Sequence, residues 1–221
     1  MRLSNSMVVQ RRLTPAQAAT RDQLIEAAIE LATESGYQGV SIRRIADKLG
    51  VSAATVYQHA GSKNQLLLDV LSELGNRVSQ SIRHRGSTTE TPADRLMRVV
   101  SLILHQVADN RPLYQALFVA YLDIPPAVKG DVSELIGFGP ERTPWIGEAL
   151  RAGPRASCDE EGIQSAARVI STMFLGAIIG VTVGRDVNES IDLLDEAAHL
   201  LLGNACNRGK DLANTEARPA R

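Results

Sequence analysis

The chain has 221 residues, is 44% hydrophobic and 4% aromatic, and carries a formal net charge of −1, so it can bury one or two modest cores but bulk charge does not mark it as a nucleic-acid protein. Its two cysteines, Cys158 and Cys206, have no metal-ligand spacing, which argues against a disulfide scaffold or a metal site and suits a reducing cytosol. The polar N-terminus lacks the apolar run of a secretory signal, and the longest uncharged stretch, 169–184, falls short of the roughly 20 residues that a membrane helix needs.

Residues 1–14 have no sustained periodicity and read as a disordered arm, with Arg11 and Arg12 able to graze DNA. A first helix begins between Pro15 and Thr20. Leu24, Ala27, Ala28, Leu31 and Ala32 recur at helical spacing, Ile25 and Ile29 widen the apolar face, and Gly36 ends it. Ser41 then caps a short helix whose buried face is Ile45, Ala46 and Leu49. Gly50 breaks that helix with a positive φ, Val51 plugs the turn, and Ser52 caps a second short helix, residues 53–59, anchored by Val56. Two short helices, a glycine turn and a serine cap make a helix-turn-helix, with the second helix as the reader. Ala53 and Ala54 are small enough to let that helix approach a groove wall. Thr55, Tyr57, Gln58 and His59 carry groups that suit phosphate or base edges. Residues 1–63 hold eight basic against five acidic side chains, a mildly basic head on an acidic body.

These features resemble the DNA-binding domain of the tetracycline-repressor (TetR) family. The resemblance runs over residues 20–71 and is carried by Gly50-Val51-Ser52, by Thr55-Val56-Tyr57, and by Ser62-Lys63 with Leu66. Ala60 and Gly61 stand where the family commonly has an aromatic, which implies a looser hinge after the reading helix. Ala32 stands where a Phe is frequent, which implies a lighter core. The resemblance implies an all-α fold, with a three-helix helix-turn-helix domain at 15–62 and a larger helical effector-binding and dimerisation domain at 63–203. Residues 204–221 are expected to be disordered.

Ser62 and Gln65 form a capping-box pattern opening a long helix to about residue 82, with Leu66, Leu67, Val70, Leu71, Leu74 and Val78 on its apolar face. Residues 83–91 read as a polar linker. Thr91-Pro92 starts the next helix, which turns Leu96, Val99, Val100, Ile103 and Val107 inward. Beyond the boundary at Asp109, Asn110 and Pro112, an aromatic stripe of Tyr114, Phe118 and Tyr121 follows, until Pro125-Pro126 stops the helix. Residues 127–140 read as a broken helix or loop. A short helix after Thr143-Pro144 carries Trp145 and Leu150 and ends at Gly153-Pro154. Two last helices, about 159–184 and 188–202, read as an assembly surface, the first because Gly176, Gly180 and Gly184 stand four apart and let a partner backbone approach.

The expected DNA contacts are Thr20, Arg21, Ser41, Arg43, Arg44, Ser52, Ala53, Ala54, Thr55, Tyr57, Gln58, His59 and Lys63. Arg43, Thr55 and Gln58 are the readers; Tyr57, His59 and Lys63 grip phosphate. Six of the eight aromatics lie beyond residue 113, Phe138 among them. A largely apolar effector pocket is expected from Leu102, His105, Tyr114, Phe118, Tyr121, Trp145, Met173 and Phe174. Dimerisation is expected through Gly176, Ile179, Gly180, Val183, Gly184, Ile191, Leu194, Ala198 and Leu201. Glu196 and His199 have the spacing of a carboxylate metal pair without a second pair to complete it, and Asn188-Glu189-Ser190 reads as a helix cap. No phosphate loop, nucleophile elbow or Cys-His pairing stands out. The expectation is a cytoplasmic, non-enzymatic homodimeric repressor without cofactor or metal, released from a palindromic DNA operator by a small, largely apolar effector and not partnered by a membrane. A same-fold regulator answering to a protein or to no ligand, and a helical small-molecule binder or enzyme with a vestigial helix-turn-helix, are the rivals.

Overall fold

The computed structural model describes residues 15–83, 91–123, 144–151 and 160–216, with side chains placed at all of these except 79, 82, 83, 144 and 204–216. The expectations for Arg11 and Arg12, the 84–90 linker, residues 127–140 with Phe138, the Gly153-Pro154 stop, the two cysteine side chains and residues 217–221 lie outside that set. Nine helices are present among the described residues: α1 (Pro15–Gly39), α2 (Ile42–Leu49), α3 (Ala53–Ala60), α4 (Lys63–Arg83), α5 (Pro92–Asp109), α6 (Arg111–Leu122), α7 (Pro144–Arg151), α8 (Glu160–Thr182) and α9 (Val187–Glu216).

The helix ends follow local chemistry. Ser41 Oγ accepts the Arg44 amide and Ser52 Oγ accepts the Thr55 amide, so both helices of the motif start on serine caps. Gly50 takes φ 66°, and its amide turns back to the Ala46 and Asp47 carbonyls. α1 kinks at Gly36, which leaves the helical region with φ 59°, and a last turn reaches Gly39. Thr91 and Asp94 exchange both bonds of a capping box, which holds the Asp94 carboxyl below its usual range. Ser62 accepts the Gln65 amide, but the Gln65 side chain turns forward to Asp69 rather than back to the cap. At α9 the cap is Asp186, whose Oδ1 accepts the Glu189 amide at 2.9 Å; it replaces the expected Asn188. α9 also continues past Gly203 to Glu216, where the sequence pattern suggests an end near 202 and a disordered tail.

Two cores form. The head core joins Leu24, Ile25, Ala28, Leu31 and Ala32 of α1 to Ile45, Val56, Ala60, Leu66, Leu67 and Val70. It also takes Leu113, Ala116, Leu117 and Ala120 from α6. The head is therefore not complete at residue 62. The body core gathers Leu96, Val100, Leu104 and Val107 of α5, Ile146 and Leu150 of α7, Ile170, Phe174 and Val181 of α8, and Leu194, Ala198 and Leu202 of α9. Tyr114 packs against both cores, and Phe118 against the body. The buried Arg95 ties α5 to α7 by donating to the Ala149 carbonyl at 3.2 Å. α8 is long and apolar enough to cross a bilayer, but Ile163, Ala166, Ile170, Phe174, Ala177, Ile178 and Val181 on it are buried against the body core. That is the pattern of a core helix.

Candidate nucleic-acid interface

The α2-turn-α3 unit exposes one side and anchors the other. Ile45, Val56 and Ala60 are buried, whereas Ala53, Ala54, Tyr57, Gln58 and His59 are exposed, Tyr57 at 55%. Burying Val56 and Ala60 four residues apart fixes the roll of α3, and the residues between them face outward together. Val51 is 41% exposed and does not plug the turn. At the joint after α3, Ala60 fills the core, and Gly61 takes φ 66° while its amide donates to the Tyr57 carbonyl. Thr55 is half-buried and shares a 2.8 Å hydrogen bond with Ser52, so its hydroxyl is partly committed to the helix start.

The cations of the head divide into two groups. Arg43 is exposed and has no ion-pair partner among the described residues. Arg44, also expected to meet DNA, is exposed and donates to the Gly39 carbonyl at 2.5 Å, which braces the end of α1 against α2. Arg21 pairs with Asp69 at 3.3 Å, linking α1 to α4. Burial pushes the Asp69 carboxyl above its usual range, and Arg21 opposes that shift. Thr20 donates to the Ala16 carbonyl within its own helix. Thus Arg44 and Arg21 have structural partners that sequence spacing does not reveal, because those partners lie on other turns or other helices. Lys63 is half-buried with its Nζ 3.4 Å from the centroid of the Tyr37 ring, and burial lowers its pKa. Tyr37 is not among the expected site residues. No sequence signal singles it out, since it stands 26 positions before Lys63.

The expected effector residues separate likewise. Trp145 and Phe174 are buried and meet edge to face, centroids 5.3 Å apart, with Tyr114, Phe118 and Met173 packed on the same core. Burial raises the Tyr114 pKa. Leu102 is 45% exposed, and His105 is exposed with its Nδ1 on the Ser101 carbonyl of its own helix. Both lie on the outer face of α5 and do not join the aromatic cluster; the inner positions are Val100, Ile103, Leu104 and Val107. Tyr121 is half-buried on α6.

The assembly residues require a similar correction. Leu194 and Ala198 are fully buried in the chain's own core, with Ile191 and Leu201 packed beside them. Gly180 is also buried, and a Cβ there would meet the Arg185 side chain at 3.3 Å. The exposed apolar residues are Val169 and Ile179 on α8, Val183 just past its end, and Leu193 and Leu200 on α9. Gly176 and Gly184 are open beside them, Gly184 just beyond the helix with φ 109°. His199 sits between Asp94 and Asp195 and is not paired with Glu196.

Residues 24–70 match the family described as "Bacterial regulatory proteins, tetR family". The chain is similar to the HTH-type transcriptional repressor KstR of Rhodococcus jostii, 24% identical over 198 residues that cover 87% of each chain. In fold it is similar to a TetR transcriptional regulator from Rhodococcus sp. RHA1, with 21% identity, a TM-score of 0.66, and coverage of 86% of this chain and 99% of that one. It is also similar to Thermus thermophilus FadR, a TetR-family repressor solved in complex with lauroyl-CoA, with 21% identity, a TM-score of 0.63, and coverage of 82% and 93%.

Proposed function

Starting from the premise that the chain belongs to the TetR family of DNA-binding transcriptional regulators, we propose that it is a homodimeric repressor, released from a palindromic operator by a small, largely apolar effector. Its role is regulatory and not enzymatic. The observation that carries the reading is the exposed face of α3. Ala53, Ala54, Tyr57, Gln58 and His59 are all exposed, on a helix whose roll is locked by Val56 and Ala60 and whose ends are capped by Ser52 and Gly61. Gln58 and Arg43 read base edges, and Tyr57, His59 and Lys63 hold phosphate and set register.

Residues 15–62, with Lys63 at the start of the next helix, engage DNA, and the rest of 63–203 holds effector and partner, with α6 lending one face to the head. Two heads must be held at the spacing of successive major grooves, which requires a two-fold dimer. The exposed positions Gly176 and Ile179 on α8 and Val183 just past its end, with Leu193 and Leu200 on α9, are the surface that supports it. Two such helices from each protomer make a four-helix interface. As an operator-binding protein it works in the cytoplasm, where the DNA is.

The effector site centres on Trp145, Phe174, Tyr114, Phe118 and Met173. Acyl-CoA thioesters are the first class to test, because an acyl chain suits these apolar walls and a similar fold in T. thermophilus FadR holds lauroyl-CoA. An effector acts only through different affinities for the DNA-bound and released shapes.

Purified protein mixed with sheared genomic DNA at low salt should retain fragments sharing an inverted repeat. Acyl-CoA should then release them and change the emission of Trp145, the sole tryptophan. Failure to retain any fragment would refute the DNA-reading assignment. Retention that no acyl-CoA or hydrophobic compound alters would favour the reading in which a protein partner, or no ligand, governs the same fold.

A further inference from the structure

Lys63 is joined to a short chain of side chains from three helices. Its ammonium stands over the Tyr37 ring at 3.4 Å. The Tyr37 hydroxyl donates to Asn64 Oδ1 at 2.7 Å, and Asn64 Nδ2 donates to Asp123 Oδ2, also at 2.7 Å. The direction of these bonds is fixed by chemistry. A carboxylate only accepts, so the amide nitrogen must face Asp123, and the amide oxygen is left to accept from the tyrosine. Tyr37 lies in the last turn of α1, just past the Gly36 kink, Asn64 lies in the first turn of α4, and Asp123 caps the C-terminal end of α6.

We propose that Tyr37 is a positioning residue for DNA binding: its ring pre-places the Lys63 ammonium for a backbone phosphate, while Asn64 and Asp123 hold the ring in that orientation, an inference that rests on the DNA-reading role assigned above. Lysine is a point charge on a flexible stem, so fixing it beforehand removes ordering that phosphate binding must otherwise impose. An ammonium has three donors. One directed at the ring face leaves two for phosphate oxygens, so the same lysine can touch both. The site lies at the N-terminal end of α4, where the helix dipole also favours an anion. Since Asp123 ends α6, the position of α6 is felt at a DNA-gripping side chain 60 residues earlier in the chain.

The test is a double-mutant cycle read by fluorescence anisotropy on an operator fragment and a random duplex across a salt series. Lys63→Ala should weaken both duplexes alike and lower the slope of log K against log salt by about 0.9 for each phosphate it no longer neutralises. Tyr37→Leu should weaken both by about two- to fivefold per head when Lys63 is present, the scale of an exposed cation–π interaction. It should do nothing further in the Lys63→Ala background. Tyr37→Phe, which keeps the ring and removes the tether, should bind between wild type and Tyr37→Leu. Asp123→Ala should match Tyr37→Phe, and the two should not add. Should Tyr37→Leu fail to fold, the Tyr37→Phe and Asp123→Ala pair still decides the matter. Equal losses with and without Lys63 would reduce Tyr37 to a packing residue and overturn the proposal. Tighter binding by Tyr37→Leu would overturn it too, by showing that the ring competes with phosphate. An unchanged affinity and salt slope for Lys63→Ala points elsewhere: the phosphate assignment itself is then wrong, and the positioning role goes with it.

Discussion

Truncating Leu117 should destabilise the DNA-reading head, although Leu117 lies 54 residues beyond the start of α4. Its side chain is 1% exposed and packs within the core that also holds Ile25, Leu31, Ile45 and Leu67. Leu117→Ala deletes three buried carbons, about 2.4 kcal/mol at ~0.8 kcal/mol per buried methylene. The cavity left among residues of four helices raises the cost to about 3 kcal/mol. For a chain of this size that corresponds to a fall in melting temperature of roughly 6–12 °C, compared at fixed protein concentration because dimerisation also stabilises. The assay is thermal and urea unfolding followed by circular dichroism, with Leu122→Ala as control. Leu122 is on the same helix but 69% exposed, and its loss should fall within about 0.5 kcal/mol of neutral. A cost below about 1 kcal/mol for Leu117→Ala, or equal costs for the two variants, would refute the claim that α6 completes the head core.

Gln58→Ala and Arg43→Ala should each lose about 1–3 kcal/mol on the operator and far less on random DNA, measured by competition binding; equal losses on both would remove them as readers. Val183→Lys places a charge on the exposed apolar residue just past the end of α8, at 76% exposure, and should shift the protein toward monomer in sedimentation while leaving each protomer's unfolding within about 0.5 kcal/mol. Leu194→Ala should do the reverse, costing about 2–5 kcal/mol of stability because that side chain is core. The Thr91 hydroxyl holds the Asp94 carboxyl below its usual range. A lowered carboxyl contributes stability that is fully present above the unfolded pKa and is lost as pH falls through the lower folded one. Acid titration of wild type should therefore show an added loss below about pH 4 that Asp94→Asn lacks, read as the difference between the two melting curves.

The parts of the fold that were legible from sequence are those whose cause is local. A serine cap, a glycine of positive φ and an anchor four residues from the next are all written within a short stretch, and α2, the turn and α3 follow from them. What was not legible depends on which element lies opposite. α6 shows two apolar faces, Tyr114 with Phe118 and Leu113 with Ala116, Leu117 and Ala120. Periodicity identifies the faces but does not say that the second one belongs to the head. The same ambiguity holds on α9, where Leu194 and Ala198 are buried and Leu193 and Leu200 are exposed. Both pairs suit a helix–helix contact, and only packing shows which is internal. Arg44 and Arg21 were expected at DNA because their charge suits phosphate, yet their hydrogen-bond partners, Gly39 and Asp69, lie outside the residues that make the motif recognisable. His105 and Leu102 sit off the inward face of α5, a difference that composition alone does not weigh.

Because the sixth helix supplies Leu113, Ala116, Leu117 and Ala120 to the head, the reading module cannot be transplanted as one contiguous stretch. A hybrid joining 15–62 to a foreign effector body would inherit a gap wherever the recipient's own helix presents a different relief. Grafts meant to carry operator specificity between relatives should move α1 to α4 together with this four-residue face, leaving the remainder of α6 to the host.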